Sequence, residues 1–340
     1  MPSLPQRQLG KSGPKVSALG FGAMGLSASY GQVEDNEARF AVLDRAVELG
    51  STFWDTSDVY ADSEDLLRLW FERTGKRDQI FLATKFGVSM ENGKPVIRSD
   101  PEYVRQACEK SLKRLGVDKI DLYYCHRVDK VTPIEKTVAA MAELKREGKI
   151  GVLGLSEVSA ATIRRAVKMH HIHAVQLEYS PFALDIESSQ IGVLETCREL
   201  GIAVVAYSPL GRGFLTGQIK SPDDFEEGDF RRHAPRYSRE NFPKNLKLVQ
   251  TLQEVASKKG CTAGELSLAW LLAQGLDIIP IPGTKKIKYL EENVNAINVQ
   301  LTDEEVKHIR TEIERIEVTG NRYPPAFQSY SFGDTPELST

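Results

Sequence analysis

The chain has 340 residues, 41% of them hydrophobic and 8% aromatic, which is enough apolar material for one ample core. Forty-four basic residues stand against 47 acidic ones, a formal net charge of −3, with no basic run to track a phosphate backbone, so nucleic acid is not an expected partner. Cys108, Cys125, Cys197 and Cys261 are scattered singly, without a CxxC pair or a disulfide ladder. No stretch approaches the ~18 apolar residues that span a bilayer, and the start has no apolar signal core. The expectation is a reduced, cytoplasmic protein with no membrane partner.

Residues 7–19 hold two strand-like pieces around Lys11-Ser12-Gly13-Pro14, a turn composition that predicts a hairpin closing one end of the fold. An interior strand follows at Ala18–Ala23, then a Ser/Gly loop to Gln32 and a helix with Phe40, Leu43 and Val47 on one face. The short strand Thr52–Asp55 runs into a loop carrying Tyr60, and a later strand, Gln79–Lys85, ends on an amine. Over 100–115, Asp100 is placed as an N-cap before Pro101, and Val104, Cys108, Leu112 and Leu115 form a helical stripe. Strands at 119–125, 150–154, 174–178 and 202–206 then alternate with helices at 134–146, 160–169 and 190–200.

Residues 208–243 break this rhythm with a long loop rich in Gly, Pro, Arg and Asp, a length that is usually functional or mobile. Helices at 244–259 and 263–273, a strand at Asp277–Ile281 and a helix bearing Ile287, Leu290, Val294 and Ile297 complete eight strand–helix repeats. The alternation predicts an α/β fold, a (β/α)8 TIM barrel with an N-terminal β-hairpin, read as a single domain over 1–340 with its core at about 7–317. Thr302 and Glu305 form a capping box that opens an extra C-terminal helix with Val306, Ile309, Ile313 and Ile316 on one face. The tail over 318–340 carries Tyr323, Phe327, Tyr330 and Phe332. Folding over the active face and lying loose both remain open for it.

In a parallel barrel the C-terminal strand ends share one face, so Asp55, Lys85 and His126 converge there with Tyr60. Taken singly, each has a bland reading: a turn cap, a buried ion-pair partner, a core histidine and a loop anchor. Gly20-Phe21-Gly22-Ala23-Met24-Gly25 matches the G-x-G-x-x-G dinucleotide pattern literally. We set it aside, because the following helix begins only near Glu34 and its N-terminus cannot face a pyrophosphate. Stronger signals come after the seventh and eighth strands, where barrels commonly bind phosphate. Ser208-Pro209-Leu210-Gly211-Arg212 offers glycine and a charged fork, and Pro282-Gly283-Thr284-Lys285-Lys286 precedes a helix. His170, His171 and His173 have no second cluster near them in sequence, and no metal site is expected. Trp54 alternates with Asp55 and is assigned to the helix side of its strand.

Asp55, Tyr60, Lys85 and His126 on successive strand ends, with Gly154-Leu155-Ser156, Gln176 and Tyr207-Ser208-Pro209-Leu210, resemble the aldo-keto reductase family over roughly residues 7–300. The resemblance implies NADPH-dependent reduction of aldehydes or ketones, with Tyr60 as general acid, Lys85 held by Asp55 and favouring the phenolate, and His126 orienting the carbonyl. A phenol pKa lowered by ~2 units would correspond to about 3 kcal/mol. It places Tyr207 on the nicotinamide, Ser156 and Gln176 on its carboxamide, and Gly22 and Met24 close to the cofactor. Ser208, Pro209, Leu210, Gly211 and Arg212 fall on the pyrophosphate, Glu292 and Asn293 on the adenine, and Gly283, Thr284 and Lys285 on the 2′-phosphate, with Lys286 as a second candidate. Tyr30, Val59 and His126 border the substrate. Two positions depart from the family pattern: Glu157 stands where many members have Asn, and Gly283 where many have Lys. The same fold also serves as a nucleotide-sensing regulatory subunit of ion channels, which is the alternative function. A Schiff-base aldolase on Lys85 leaves Tyr207 and both phosphate loops unexplained.

Overall fold

The computed structural model describes residues 4–91 and 94–339. Eight parallel strands run in sequence order around one sheet: β1 (Phe21–Gly22), β2 (Phe53–Asp55), β3 (Phe81–Phe86), β4 (Ile120–Cys125), β5 (Ile150–Ser156), β6 (Ala174–Glu178), β7 (Ala203–Tyr207) and β8 (Ile278–Pro280). Closure between the first and last is made by single backbone bonds, Gly20 N to Pro280 O at 2.9 Å and Gly22 N to Pro282 O at 3.1 Å. A Cβ on Gly283 would lie 2.4 Å from Gly22 O, so the seam needs glycine there. The fold is a (β/α)8 barrel.

Two cores follow from the two-residue period of the strands. Phe53, Ala83, Leu122, Tyr124, Val152, Val205 and Ile279 fill the barrel, and Leu9 and Val16 from the hairpin of Gln6–Gln8 with Lys15–Ser17 join them at its floor. Alternate residues face the helices, and Trp54 packs there on Trp70 with ring centroids 4.7 Å apart. The hairpin closes the N-terminal end, as its turn composition predicts. His173 lies beneath it, with its carbonyl 2.7 Å from where a Gly10 Cβ would be. Among the described residues, no group of His, Cys, Asp and Glu is placed to hold a metal, and no helix is long and apolar enough to cross a membrane.

The helices Ile134–Arg146 and Ala160–Met169 coincide with the sequence reading, and Asp100 caps its helix by accepting from Tyr103 N. The differences are local. Met24–Ser27 forms one helical turn within the stretch expected to be loop, although the first long helix still starts only at Asn36, behind the Asp35 cap. The helix expected from 190 begins at Val193, because Gly192 takes a left-handed φ of 61°. A hairpin, Val88–Glu91 with Lys94–Ile97, follows β3 and escapes the period-based reading, although the Asn92-Gly93 dipeptide is a hairpin signal in the sequence. The long segment after β7 is ordered by short 3-10 turns seated on Phe182, Phe214, Phe225, Tyr237 and Phe242, with neighbouring ring centroids 5.0–5.7 Å apart. The tail also takes a fixed course. Gly333 pairs with Val158, its N donating to Glu157 O at 2.7 Å.

Candidate active site

The strand ends bring the acid, amine and phenol together through the ladder itself. Asp55 on β2 is in register with Ala83 on β3, and Lys85 stands two residues further on the same face. Lys85 Nζ donates to Asp55 Oδ1 at 2.5 Å and to Thr56 O at 2.7 Å, and its contact with Tyr60 Oη is longer, 3.5 Å. Lys85 is fully buried, and Asp55 also accepts from Gln176 Nε2 at 2.7 Å. Burial pushes the Asp55 carboxyl up and the Lys85 amine down, against their mutual attraction. His126, at the end of β4, meets the Tyr60 ring edge-on with centroids 5.8 Å apart.

The expected direction of the Tyr60 shift is reversed. Burial, then the Asp55 charge, pushes the phenol above its ordinary value of 10.0. The reason is geometric. Lys85 gives its short bonds to Asp55 and a carbonyl, so Tyr60 faces an ion pair rather than a bare cation. The phenol therefore keeps its proton at neutral pH. His126 goes the other way, held neutral by burial and then by the Arg127 and Lys85 charges.

Asp55, Tyr60 and His126 open into a cleft of about 690 Å³. Its lining includes Asp55, Tyr60, His126, Gly22, Met24, Tyr30, Ser156, Gln176, Tyr207, Ser208, Pro209, Leu210 and Arg212, together with Gly283, Thr284, Lys285, Lys286, Glu292 and Asn293. Lys85, Gly211 and Val59 do not line it. Lys85 is fully buried behind its bond to Asp55, and Gly211 (φ 55°) faces Phe182, which a Cβ there would meet at 3.0 Å. Ser208 and Arg212 also hold left-handed φ values, 49° and 57°, as does Glu157 at 49°. Backbone strain of this kind gathers at the exits of β5 and β7, a placement typical of functional loops.

Two cations expected at phosphates are engaged by the protein. Lys285 Nζ donates to Tyr30 O at 2.5 Å and Gln32 O at 2.7 Å, strapping that loop across the cleft, where Glu226 also accepts from Gln32 N at 2.8 Å. Arg212 is buried between the rings of Tyr323 and Phe230, donating to Glu178 at 3.3 Å and to Arg322 O at 3.1 Å. Lys286 is exposed at the N-cap of the helix Ile287–Asn295.

Arg127 is a lining residue outside the sequence reading, and the tail takes the first of the two courses left open for it, over the cleft. Arg127, next to His126, donates to Ser156 Oγ at 3.2 Å, and its place on a strand end was the available signal. Tyr323, Phe327 and Tyr330 of the tail form a wall of the cleft. They are anchored by Arg322, which pairs with both oxygens of Glu157 at 3.2 Å and lies 3.6 Å from Glu178. Glu157 in turn accepts from Tyr207 Oη at 2.9 Å, and Tyr207 Oη meets Tyr323 Oη at 2.9 Å. The departure from Asn at this position thus has a structural role: Glu157 is absent from the cleft lining and is the tail's counter-ion. Burial alone would raise its carboxyl, but Arg322 and Arg127 hold it below the ordinary carboxylate value.

This geometry agrees with what the chain matches. The model of the aldo/keto reductase family matches residues 18–314. The chain belongs to the aldo/keto reductase family. It is an oxidoreductase by that membership. Similar family members include aldo-keto reductase str7 of Strobilurus tenacellus, 55% identical over 98% of this chain and 99% of that one. Another is the aldo-keto reductase yakc [NADP(+)] of Schizosaccharomyces pombe, 54% identical over 99% of both chains. Among solved structures, the glycerol dehydrogenase AKR11B4 of Gluconobacter oxydans superposes with a TM-score of 0.81 at 26% identity, over 94% of this aldo-keto reductase and 98% of that chain. The thermostable aldo-keto reductase Tm1743 does so with a TM-score of 0.72 at 27% identity, over 91% and 100% of the two chains.

Proposed function

We propose that this single-barrel reductase converts aldehydes or ketones to alcohols with NADPH, and that Tyr60 is the general acid. The observation that carries the proposal is the Tyr60 hydroxyl, 3.5 Å from a lysine already paired with Asp55, beside His126 in the lining of the cleft. The cleft fits a dinucleotide. Close backbone approach is possible at Gly22 and Gly283, where even a Cβ would crowd the seam, and polar groups continue from Gln176 to Asn293. The 55% and 54% identical relatives span the whole chain, and one carries NADP(+) in its name.

When bound, the nicotinamide supplies hydride to the carbonyl carbon. Tyr207 would offer its ring as the platform, and Ser156 and Gln176 would hold the carboxamide. Tyr60 keeps its proton at neutral pH and gives it to the carbonyl oxygen as negative charge develops there. His126, neutral, orients that oxygen. Lys286 would meet the 2′-phosphate, and Lys285 holds the Tyr30–Gln32 loop down beside it.

The test is oxidation of NADPH, and separately NADH, by wild type and Tyr60→Phe with an activated aromatic aldehyde. The variant should bind NADPH as wild type does and lose roughly 10²–10⁴ in kcat. A wild type that binds NADPH but reduces no carbonyl in a broad panel defeats the reductase reading and favours the regulatory one.

A further inference from the structure

Behind His126 stand two side chains that the reaction as written does not use. Ser57 Oγ lies 3.2 Å from His126 Nδ1 and 3.3 Å from Asp58 Oδ1, with Lys85 O at 3.4 Å. The backbone fixes this chain of contacts. Asp58 N donates to Lys85 O at 3.2 Å, and His126 N donates to Phe86 O at 2.7 Å, so the loop after β2 and the end of β4 both hang on β3. Ser57 is fully buried and Asp58 is half-buried, away from the cleft lining. Nε2 of His126 has no hydrogen bond to the protein among the described residues, and the ring lines the cleft.

We propose that Ser57 and Asp58 form a proton relay behind His126 that decides which ring nitrogen carries the proton, and so whether the imidazole meets the cleft as a donor suited to carbonyl reduction or as an acceptor suited to alcohol oxidation. The inference rests on the reading of His126 as the group that meets the reacting oxygen.

With Asp58 ionised, the Ser57 hydroxyl donates to the carboxylate and accepts from Nδ1–H, leaving a lone pair on Nε2. With Asp58 protonated, its hydroxyl donates to Ser57, Ser57 donates to Nδ1, and the proton of the neutral ring sits on Nε2. The two states differ by one proton. In oxidation Tyr60 takes the alcohol proton as its own proton passes to Nε2, the Nδ1 proton moves to Ser57 and the Ser57 proton to Asp58, and Asp58 releases it to solvent. Reduction runs the same chain backwards. Serine can serve because one hydroxyl donates and accepts at once, and a neutral imidazole changes tautomer without changing charge.

The surroundings set the switching range. Burial, then the charge of Glu64 on the helix Ser63–Thr74, pushes the Asp58 carboxyl up to about 7, against Lys110 and Arg114 of the helix Pro101–Leu115 and the Ser57 hydrogen bond. Lys85 on β3, Tyr123 on β4 and Tyr60 on its own loop also feel its charge. Arg114 bridges this side, donating to Asp58 O at 2.9 Å and to Glu64 at 3.1 Å. His126 itself stays neutral throughout this range.

The test is 15N NMR of the full chain labelled at histidine, with the His126 signals assigned by a His126→Gln variant. From about pH 6 to about pH 8 the protonated fraction of a group titrating near 7 falls roughly tenfold, and the Nε2–H tautomer should give way to Nδ1–H over that range. In Asp58→Asn the new amide donates to Ser57 at every pH and locks the Nε2–H form, and Ser57→Ala abolishes the switch. In turnover, the wild-type ratio of reduction to oxidation rate should lose its inflection near neutrality in both variants, a pH signature that damage to packing alone would not give. One unchanging tautomer in wild type, or a wild-type switch in Ser57→Ala, overturns the relay. A tautomer switch in a protein that reduces nothing sinks the reductase reading and keeps the relay. Turnover without a switch does the reverse.

Discussion

Replacing Arg322 by Met removes the guanidinium that fixes the tail and keeps much of its apolar stem. The charge it abandons is deep: side-chain exposure is 2% for Arg322 and 0% for Glu157. Glu157 retains the Tyr207 hydroxyl and the Glu178 amide as donors, 2.9 and 3.2 Å away, but no full counter-charge in contact. Breaking one side of a buried pair costs about 3–5 kcal/mol. At ~2.1 cal/mol/K per residue over 340 residues, the unfolding entropy is ~0.7 kcal/mol/K, so the melting temperature should fall by roughly 4–7 °C. Adding Glu157→Gln removes the stranded charge and should recover about half of that loss. Calorimetry on wild type, both single variants and the double gives the coupling. A single variant that melts with wild type, or a double whose loss equals the sum of the singles, refutes the reasoning. The wall of Tyr323, Phe327 and Tyr330 follows Arg322, so KM for the carbonyl should rise in Arg322→Met while the NADPH Kd moves by less than about threefold.

The two lysines after β8 should separate by cofactor. Lys286→Met is expected to weaken NADPH by roughly tenfold, about 1.4 kcal/mol, and to leave NADH unchanged, because only NADPH carries the 2′-phosphate. Lys285→Met releases the Tyr30–Gln32 loop and should weaken both cofactors alike; fluorescence titration distinguishes the two, and a loss confined to NADPH in Lys285→Met reverses the assignment. His173, under the hairpin, is pushed down to about 4 by burial, then by His171 and Lys145. The folded chain therefore binds fewer protons than the unfolded chain between about pH 4 and about pH 6.5, and the stability present above that window is lost as pH falls through it, by up to about 1.4 kcal/mol per pH unit. Asp58 titrates with the opposite sign, so the measurement is the difference in denaturant stability between wild type and His173→Gln. That difference should shift against wild type on acidification, and a constant difference contradicts the assignment.

The sequence by itself determined the barrel, because strand and helix periods are local properties of ten or fifteen residues. Eight alternations leave few topologies open, and caps such as Asp100 and Thr302 mark helix starts without tertiary help. It also determined which residues end the strands, and hence that Asp55, Lys85 and His126 share a face. Tertiary structure alone decided what each charge does there. Whether Lys85 acts on Tyr60 or on Asp55 is a matter of 3.5 Å against 2.5 Å. Lys285 reaches carbonyls more than 250 positions away, and Arg322 reaches Glu157 across 165. The tail is the clearest case. Its aromatics carry no period that local reading can use, and its path is set by a buried charge, Glu157, whose need for a partner exists only once the barrel has removed it from water.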